Sequence, residues 1–264
     1  MKQSYIADSL DDVKERKRLA MLERLYDPPT QAALRAGGLA AGQTVLEIGP
    51  GGGSMLRWLS AQVGPEGRVV GIDQNPRFLK DLNLPNVTVV VGDVNRTELD
   101  AAPFDLVYCR FVLLHLPDPA AALHHIRALL RPGGNLALVD MDFASHVASD
   151  PGYPSAQAFD QGRRALAQAM EEAGLMDLSF ARRLPALLDE AGFADPAVAY
   201  ESHGIRGGTE EASFWKQNAA LNGAAGLKAG VLRQEDLAFL PVHDDPSFHF
   251  LAPLLATATA RRPG

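Results

Sequence analysis

Five short apolar runs, at residues 44–48, 69–72, 87–91, 104–108 and 136–139, punctuate the first half of the chain. Each is nearly continuous in apolar residues instead of alternating with polar ones, the pattern of strands buried on both faces of a parallel sheet. Between several of them apolar positions fall at helical spacing, over residues 54–63, 77–82 and 120–130. A βαβα series of this kind predicts a doubly wound α/β sheet. Upstream, residues 11–26 read as a helix, with Val13, Leu19, Ala20, Leu22 and Leu25 along one side and Ser9 and Asp12 as a capping pair. Asp27-Pro28-Pro29 should stop that helix, and a second short one is expected over residues 30–36, closed by Gly37-Gly38.

Past residue 139 the regular alternation ends. A helix is expected over residues 155–173, with Phe159, Leu166, Ala169, Met170 and Ala173 on one side, and another over 184–191, stopped by Gly192. β-compatible runs follow at 197–200 and 247–255, separated by a long excursion over 204–246. The expected organisation is an N-terminal helical lid (1–38), an α/β core (39–142), a helical cap insertion (143–181) and a C-terminal part of the core (182–264) interrupted by the insertion at 204–246.

Composition narrows the function classes. With 264 residues, 47% hydrophobic and 22% charged, the chain has ordinary globular chemistry and enough length to bury a core. Its formal net charge of -7, without a basic run, disfavours binding to a nucleic-acid backbone, which needs clustered Lys and Arg. A single cysteine, Cys109, excludes an internal disulfide and a Cys-based zinc cluster. Residues 1–12 lack the apolar core of a signal peptide, and no apolar run approaches the roughly 20 residues of a membrane span, so a cytoplasmic protein without membrane partners is the default expectation. The oligomeric state is not written in the sequence, and a homodimer is one assembly it allows.

Candidate chemistry collects at the ends of the expected strands, where ligands bind in open α/β sheets. The first run ends in Glu47-Ile48-Gly49-Pro50-Gly51-Gly52-Gly53 and passes at once into a helical pattern. Such a turn keeps side chains away from a ligand and aims free helix N–H groups at it, so an adenosine-bearing cofactor is expected. The dinucleotide fingerprint GxGxxG would need glycine at Ser54, and the spacing here is GxGxG. Asp73, with Gln74 beside it, ends the second run and can accept hydrogen bonds from both ribose hydroxyls. After the third run, Gly92-Asp93-Val94 suits an adenine, through the Asp93 carboxylate and the Val94 N–H, or else an Asx turn. The fourth run ends in Tyr108-Cys109-Arg110-Phe111. Cys109 fits a small packed residue better than a nucleophile, and Arg110 fits either a carboxylate ligand or a surface pair.

As a set these motifs resemble class I S-adenosylmethionine-dependent methyltransferases over about residues 40–203. The glycine motif at 45–53, Asp73, Gly92-Asp93, the fourth-strand segment 104–108, the segments 113–119 and 129–134, and the helix 184–193 carry the resemblance. It implies a Rossmann-like seven-stranded sheet with an antiparallel last strand, the two extra strands coming from 197–200 and 247–255, and helical cap insertions. It further implies S-adenosylmethionine as cofactor. Glu47 with Gly49, Gly51 and Gly53 would hold its methionine end, Asp73 and Gln74 its ribose, and Gly92, Asp93 and Val94 its adenine. Cys109, Arg110 and Phe111 would lie beside its reactive part. The overall flavour is similar to bacterial UbiE-like and natural-product enzymes.

Methyl transfer from a sulfonium is an in-line displacement that needs a base only for a protonated acceptor. The base candidates are His115, Asp142 and His146, all expected near the strand ends, the two histidines having the suitable pKa range. The Asn/Asp-Pro-Pro-aromatic motif of amino methyltransferases acting on nucleic-acid bases or glutamine is replaced by Tyr108-Cys109-Arg110-Phe111, and the carboxylates Asp140 and Asp142 lack further ligands, so no metal is expected. The expected substrate is a small organic methyl acceptor, methylated at O, N or C, in a pocket walled by Phe159, Met170, Phe180, Phe214 and Trp215. The alternative keeps the fold but uses the cofactor site for a non-methylating cyclisation or rearrangement. A nicotinamide-dependent oxidoreductase would need the missing GxGxxG, and a non-catalytic binding protein would have no use for Asp73, Asp93 and an open glycine loop.

Overall fold

A computed structural model describes residues 10–264, so the capping candidate Ser9 lies outside the described residues. The chain forms two compact units. One comprises Arg16–Asp140, Arg183–Ala199 and Ala256–Gly264, and the other Met141–Arg182 and Tyr200–Leu255 with residues 10–15.

The first unit is built on a seven-stranded sheet. Its strands are β1 (Thr44–Ile48), β2 (Arg68–Asp73), β3 (Val87–Val91), β4 (Phe104–Arg110), β5 (Leu130–Asp142), β6 (Ala194–Glu201) and, last in the chain, β9 (Leu254–Arg261), in the order β3-β2-β1-β4-β5-β9-β6. The first five pair in parallel, with Leu46 opposite both Val70 and Val107. β9 runs against β5: Gly133 donates to the Arg262 carbonyl and Arg262 to that of Gly134, so the start of β5 meets the end of β9. The apolar runs are buried as expected in β1, β2 and β4, whereas β3 lies at the edge and leaves Val91 68% exposed. Two helices follow their predicted patterns. α2 (Ser54–Val63) buries Met55, Leu56, Leu59 and Val63, and α3 (Pro119–Leu129) is capped by the Asp118 carboxylate accepting from the Ala121 amide.

Three expectations give way. Asp27-Pro28-Pro29 does not end a helix, because α1 runs unbroken from Asp12 to Ala36. Tyr26, Thr30 and Leu34 are buried at spacings of four across the prolines, and Asp27 is gripped by Arg110 and Ser54, so packing outweighs the lost hydrogen bonds. The helix expected at 77–82 is a pair of turns, Leu79 donating to Pro76 and Leu82 to Leu79, since Pro76 and Pro85 leave too short a stretch to nucleate a helix. The last β-compatible run is split at Pro253, which has no N–H for a ladder. Residues 249–251 become β8 (His249–Leu251), outside the main sheet, and the main-sheet strand starts only at Leu254.

The second unit holds α4 (Ala156–Glu172), the helix Glu210–Ala229 and a two-stranded antiparallel sheet in which β7 (Gly204–Arg206) pairs with β8, Ile205 opposite Phe250. Its core is aromatic. Phe159 from α4 meets Phe239, Phe248 and Phe250 at ring-centroid distances of 5.9, 5.0 and 5.4 Å. α4 carries Gly162 where any β-carbon would stand 2.2 Å from the Phe239 ring, so glycine there lets the ring lie against the helix.

Candidate functional site

The glycine turn lies in the first unit, at the carboxyl end of β1. Gly49, Gly51 and Gly53 all have positive φ, at 69°, 53° and 82°, which explains why this run is glycine. At Gly49 a β-carbon would also strike the Val112 side chain at 2.5 Å. Gly53 is the N-cap of α2, and no side chain caps the helix, so its first amides remain available to a ligand.

Glu47 is 3% exposed, at the centre of the sheet, and its Oε2 has no hydrogen-bond partner. Burial, which penalises the charged form, pushes its carboxyl up to about 8; Arg110 opposes the shift, and Asp27, Asp73 and Glu23 add to it. An orphaned buried acid next to an open turn fits a cationic ligand group better than a structural role.

At the next strand end, the Asp73 carboxylate accepts from the Asn75 amide at 2.8 Å, which fixes its rotamer, and Gln74 beside it is exposed. Gly92 donates to the Asp73 carbonyl, tying the ends of β2 and β3 together. Asp93 accepts from the Asn95 amide at 3.0 Å and lies 3.9 Å from Arg96, and Val94 is buried, so the adenine candidates sit in an Asx turn. A β-carbon on Gly92 would stand 2.2 Å from Thr97 Oγ1, which leaves only glycine there.

At the end of β4, Cys109 is buried and burial pushes its thiol well above the usual range, so it is a packed side chain without thiolate character. Arg110 pairs with Asp27 at 2.8 Å and donates to Thr30 Oγ1 at 3.3 Å, both on α1. Phe111 adopts φ 55°, a left-handed conformation costly for a bulky residue, with its ring edge-on to Tyr26 at 5.1 Å. His115 closes the 3₁₀ turn Leu113–His115, half-buried.

Sequence reasoning treated α1 only as a lid and missed its polar stripe. Arg16, Glu23, Asp27 and Thr30 recur at helical spacing. Arg16 Nη1 donates to the Gly52 carbonyl at 3.3 Å, and Glu23 Oε1 lies 2.1 Å from where a β-carbon on Gly52 would be. The periodicity was visible in the sequence; that it faced the glycine turn was not.

The other expected residues lie in the second unit. Both carboxyl oxygens of Asp142 are engaged, Oδ1 accepting from the Ala144 amide at 3.0 Å and Oδ2 from Arg182 Nε at 2.8 Å. His146 is 1% exposed, stacked on Phe250 at 5.2 Å and edge-on to Trp215 at 5.4 Å, and neither ring nitrogen has a partner. Burial, with Arg163 and His243 nearby, holds its pKa well below the ordinary value, so the ring is neutral. Phe159, Met170, Phe180, Phe214 and Trp215, the expected pocket walls, are all buried. Among the described residues no group of three or more His, Cys, Asp or Glu side chains could hold a metal ion, and no helix is long and apolar enough to cross a membrane.

The chain matches the family model described as a methyltransferase domain over residues 19–196. It is 30% identical over 205 residues to an uncharacterized 37.1 kDa protein of a Streptomyces fradiae transposon, covering 76% of this chain and 54% of that protein. It is 34% identical over 142 residues to trans-aconitate 2-methyltransferase of an Azoarcus species, covering 51% of this chain and 54% of the relative. The chain thus spans about half the length of the curated relatives it matches. A solved structure of a candidate methyltransferase from Bacillus halodurans superposes with a TM-score of 0.58 at 17% identity, covering 89% of this chain and 99% of that one, a likeness of fold.

Proposed function

The chain belongs to the class I S-adenosylmethionine-dependent methyltransferase family, and from that premise we propose that it transfers a methyl group to O, N or C of a small organic acceptor. The observation that carries this reading is the buried, unpartnered carboxyl of Glu47 beside a turn that three left-handed glycines keep open. A cofactor with a methionine ammonium satisfies the orphaned acid, and its adenosine fits the two further strand-end carboxylates.

In this reading Glu47 and the turn through Gly49, Gly51 and Gly53 hold the amino-acid end. Asp73, with Gln74, takes the ribose hydroxyls, and Gly92, Asp93 and Val94 the adenine. Cys109 and Phe111 line the end of β4, while Arg110 acts by fixing α1 through Asp27. Bound there, S-adenosylmethionine supplies a methyl group on a sulfonium centre. The chain's own contribution is to orient that group and keep water from it. Where the acceptor carries a proton, His115 is the candidate base in the unit that holds the glycine turn; burial disfavours the protonated form of His146, which weakens it as a proton acceptor.

A small acceptor agrees with the net charge of -7, unsuited to a polyanion, and with a relative named for trans-aconitate. The test is release of S-adenosylhomocysteine when the chain is given S-adenosylmethionine and a panel of small phenols, amines and carboxylic acids. Turnover of an acceptor without that release would replace methyl transfer by a cyclisation or rearrangement. Asp73→Ala should weaken cofactor binding by at least about tenfold, through loss of charge-assisted hydrogen bonds. Unchanged affinity in a folded variant would remove Asp73 from the ribose site.

A further inference from the structure

Resting on the reading that the glycine turn receives S-adenosylmethionine, we infer that Glu23 of α1 is a second carboxylate for the cofactor's methionine ammonium, acting together with Glu47. The inference starts from two acids in the same unit, each with a buried carboxyl oxygen that no donor reaches. Glu23 Oε1 and Glu47 Oε2 are both buried, and neither has a hydrogen-bond partner. Each is destabilised as an anion: burial raises both carboxyls, and the Glu23 charge adds to the shift at Glu47. Two such groups on elements far apart in sequence, meeting at one turn, are an unfavourable arrangement unless a cation joins them.

Arg16, Arg110 and Arg57 each favour the Glu23 anion, and the first two also bind other groups. Arg110 is bound to Asp27 at 2.8 Å, and Asp27 also accepts from Ser54 Oγ at 3.2 Å. Arg16 donates to the carbonyls of Gly52 at 3.3 Å and Phe78 at 3.4 Å and lies over the Phe78 ring at 5.0 Å. These bonds anchor α1 to the turn from both sides of Glu23 and fix where its carboxyl goes. It fills the space above Gly52 that any side chain there would take, since a β-carbon would come within 2.1 Å of Glu23 Oε1 and 3.1 Å of Arg16 Nη1. Gly52 has no positive φ, unlike its neighbours, so its lack of a side chain is required by the carboxyl above it and not by the backbone. An ammonium offers three N–H donors, enough for both carboxylates, and its positive charge removes the repulsion between them.

The test is calorimetric binding of S-adenosylhomocysteine and of 5′-methylthioadenosine to the full chain and to Glu23→Gln and Gly52→Ala. The second ligand keeps the adenosine and the sulfur but lacks the ammonium. Both variants should lose affinity for S-adenosylhomocysteine, by about tenfold or more for one charge-assisted bond, and keep that for methylthioadenosine. Equal losses for the two ligands would make Glu23 a support of the turn only, and no loss for either would remove it from the site; both results overturn the inference. Failure of the unaltered chain to bind S-adenosylhomocysteine would instead overturn the cofactor reading beneath it.

Discussion

Glu47 shows how a single side chain can couple folding, ligand binding and pH. Its carboxyl titrates near 8 in the folded chain and at an ordinary 4.5 when unfolded. Between those values the folded state holds a proton that the unfolded state has lost. Stability is therefore highest below about 4.5 for this group and declines as pH rises towards 8. Cofactor binding has the opposite sign, because an ammonium favours the ionised carboxylate. Affinity for S-adenosylhomocysteine should accordingly rise with pH up to about 8, and binding at pH 7 should release a proton, seen as a calorimetric enthalpy that depends on the buffer. Glu47→Gln should bind more weakly, with a smaller pH dependence and less proton release. A buffer-dependent enthalpy that is unchanged in the variant would assign the proton to another group. Phe111, which follows the end of β4, has φ 55°, a left-handed backbone that is costly for a bulky side chain.

At the scale of elements, the hairpin strand β8 and helix α4 enclose two histidines that are neutral in the fold. His146 stacks on Phe250, and His243 lies 5.3 Å from the same ring, with its Nδ1 held by the Leu240 carbonyl and its Nε2 unpartnered. Burial lowers both, His243 to about 4, and Arg163 faces each of them. A depressed pKa gives stability that is present above the unfolded value of 6.5 and is lost as pH falls towards 4. The chain should therefore lose thermal stability across that window, and His146→Phe, which removes two unsatisfied ring nitrogens from an aromatic cluster, should reduce the loss. Melting curves with the same acid slope in both proteins would show that the slope arises elsewhere. These elements also mark what could be read from sequence. The strands up to β5 were legible as continuous apolar runs, α2, α3 and α4 as helical periods, and the glycine turn because positive φ demands glycine. α1 was misread at Pro28 and Pro29 because Tyr26, Thr30, Leu34 and Arg110 outweigh a local rule from positions a local window does not connect. Glu23 escaped for the same reason: its role depends on what faces α1, not on its neighbours in sequence.

At the scale of the whole chain, the connectivity sets a condition on the site. Every residue proposed to touch the cofactor, from Glu23 to Phe111, lies before residue 140, yet the first unit also takes Arg183–Ala199 and Ala256–Gly264. The last strand, β9, is not an edge strand but lies between β5 and β6, and reciprocal bonds between Gly133, Gly134 and Arg262 join it to β5. A chain ending at Asp140 keeps all the proposed cofactor residues and loses the partner of β5. What it would leave is a long apolar edge, carrying Leu136, Leu138 and Val139, with its backbone groups unpaired. Such a fragment should aggregate, or lack a cooperative melting transition and near-ultraviolet dichroism, and should not bind S-adenosylhomocysteine. A soluble fragment of residues 1–140 that melts cooperatively and binds this ligand would mean that the contiguous βα segment alone fixes the glycine turn. The expected failure would instead tie the position of Glu47, at the centre of the sheet, to a strand that the chain completes more than two hundred residues later.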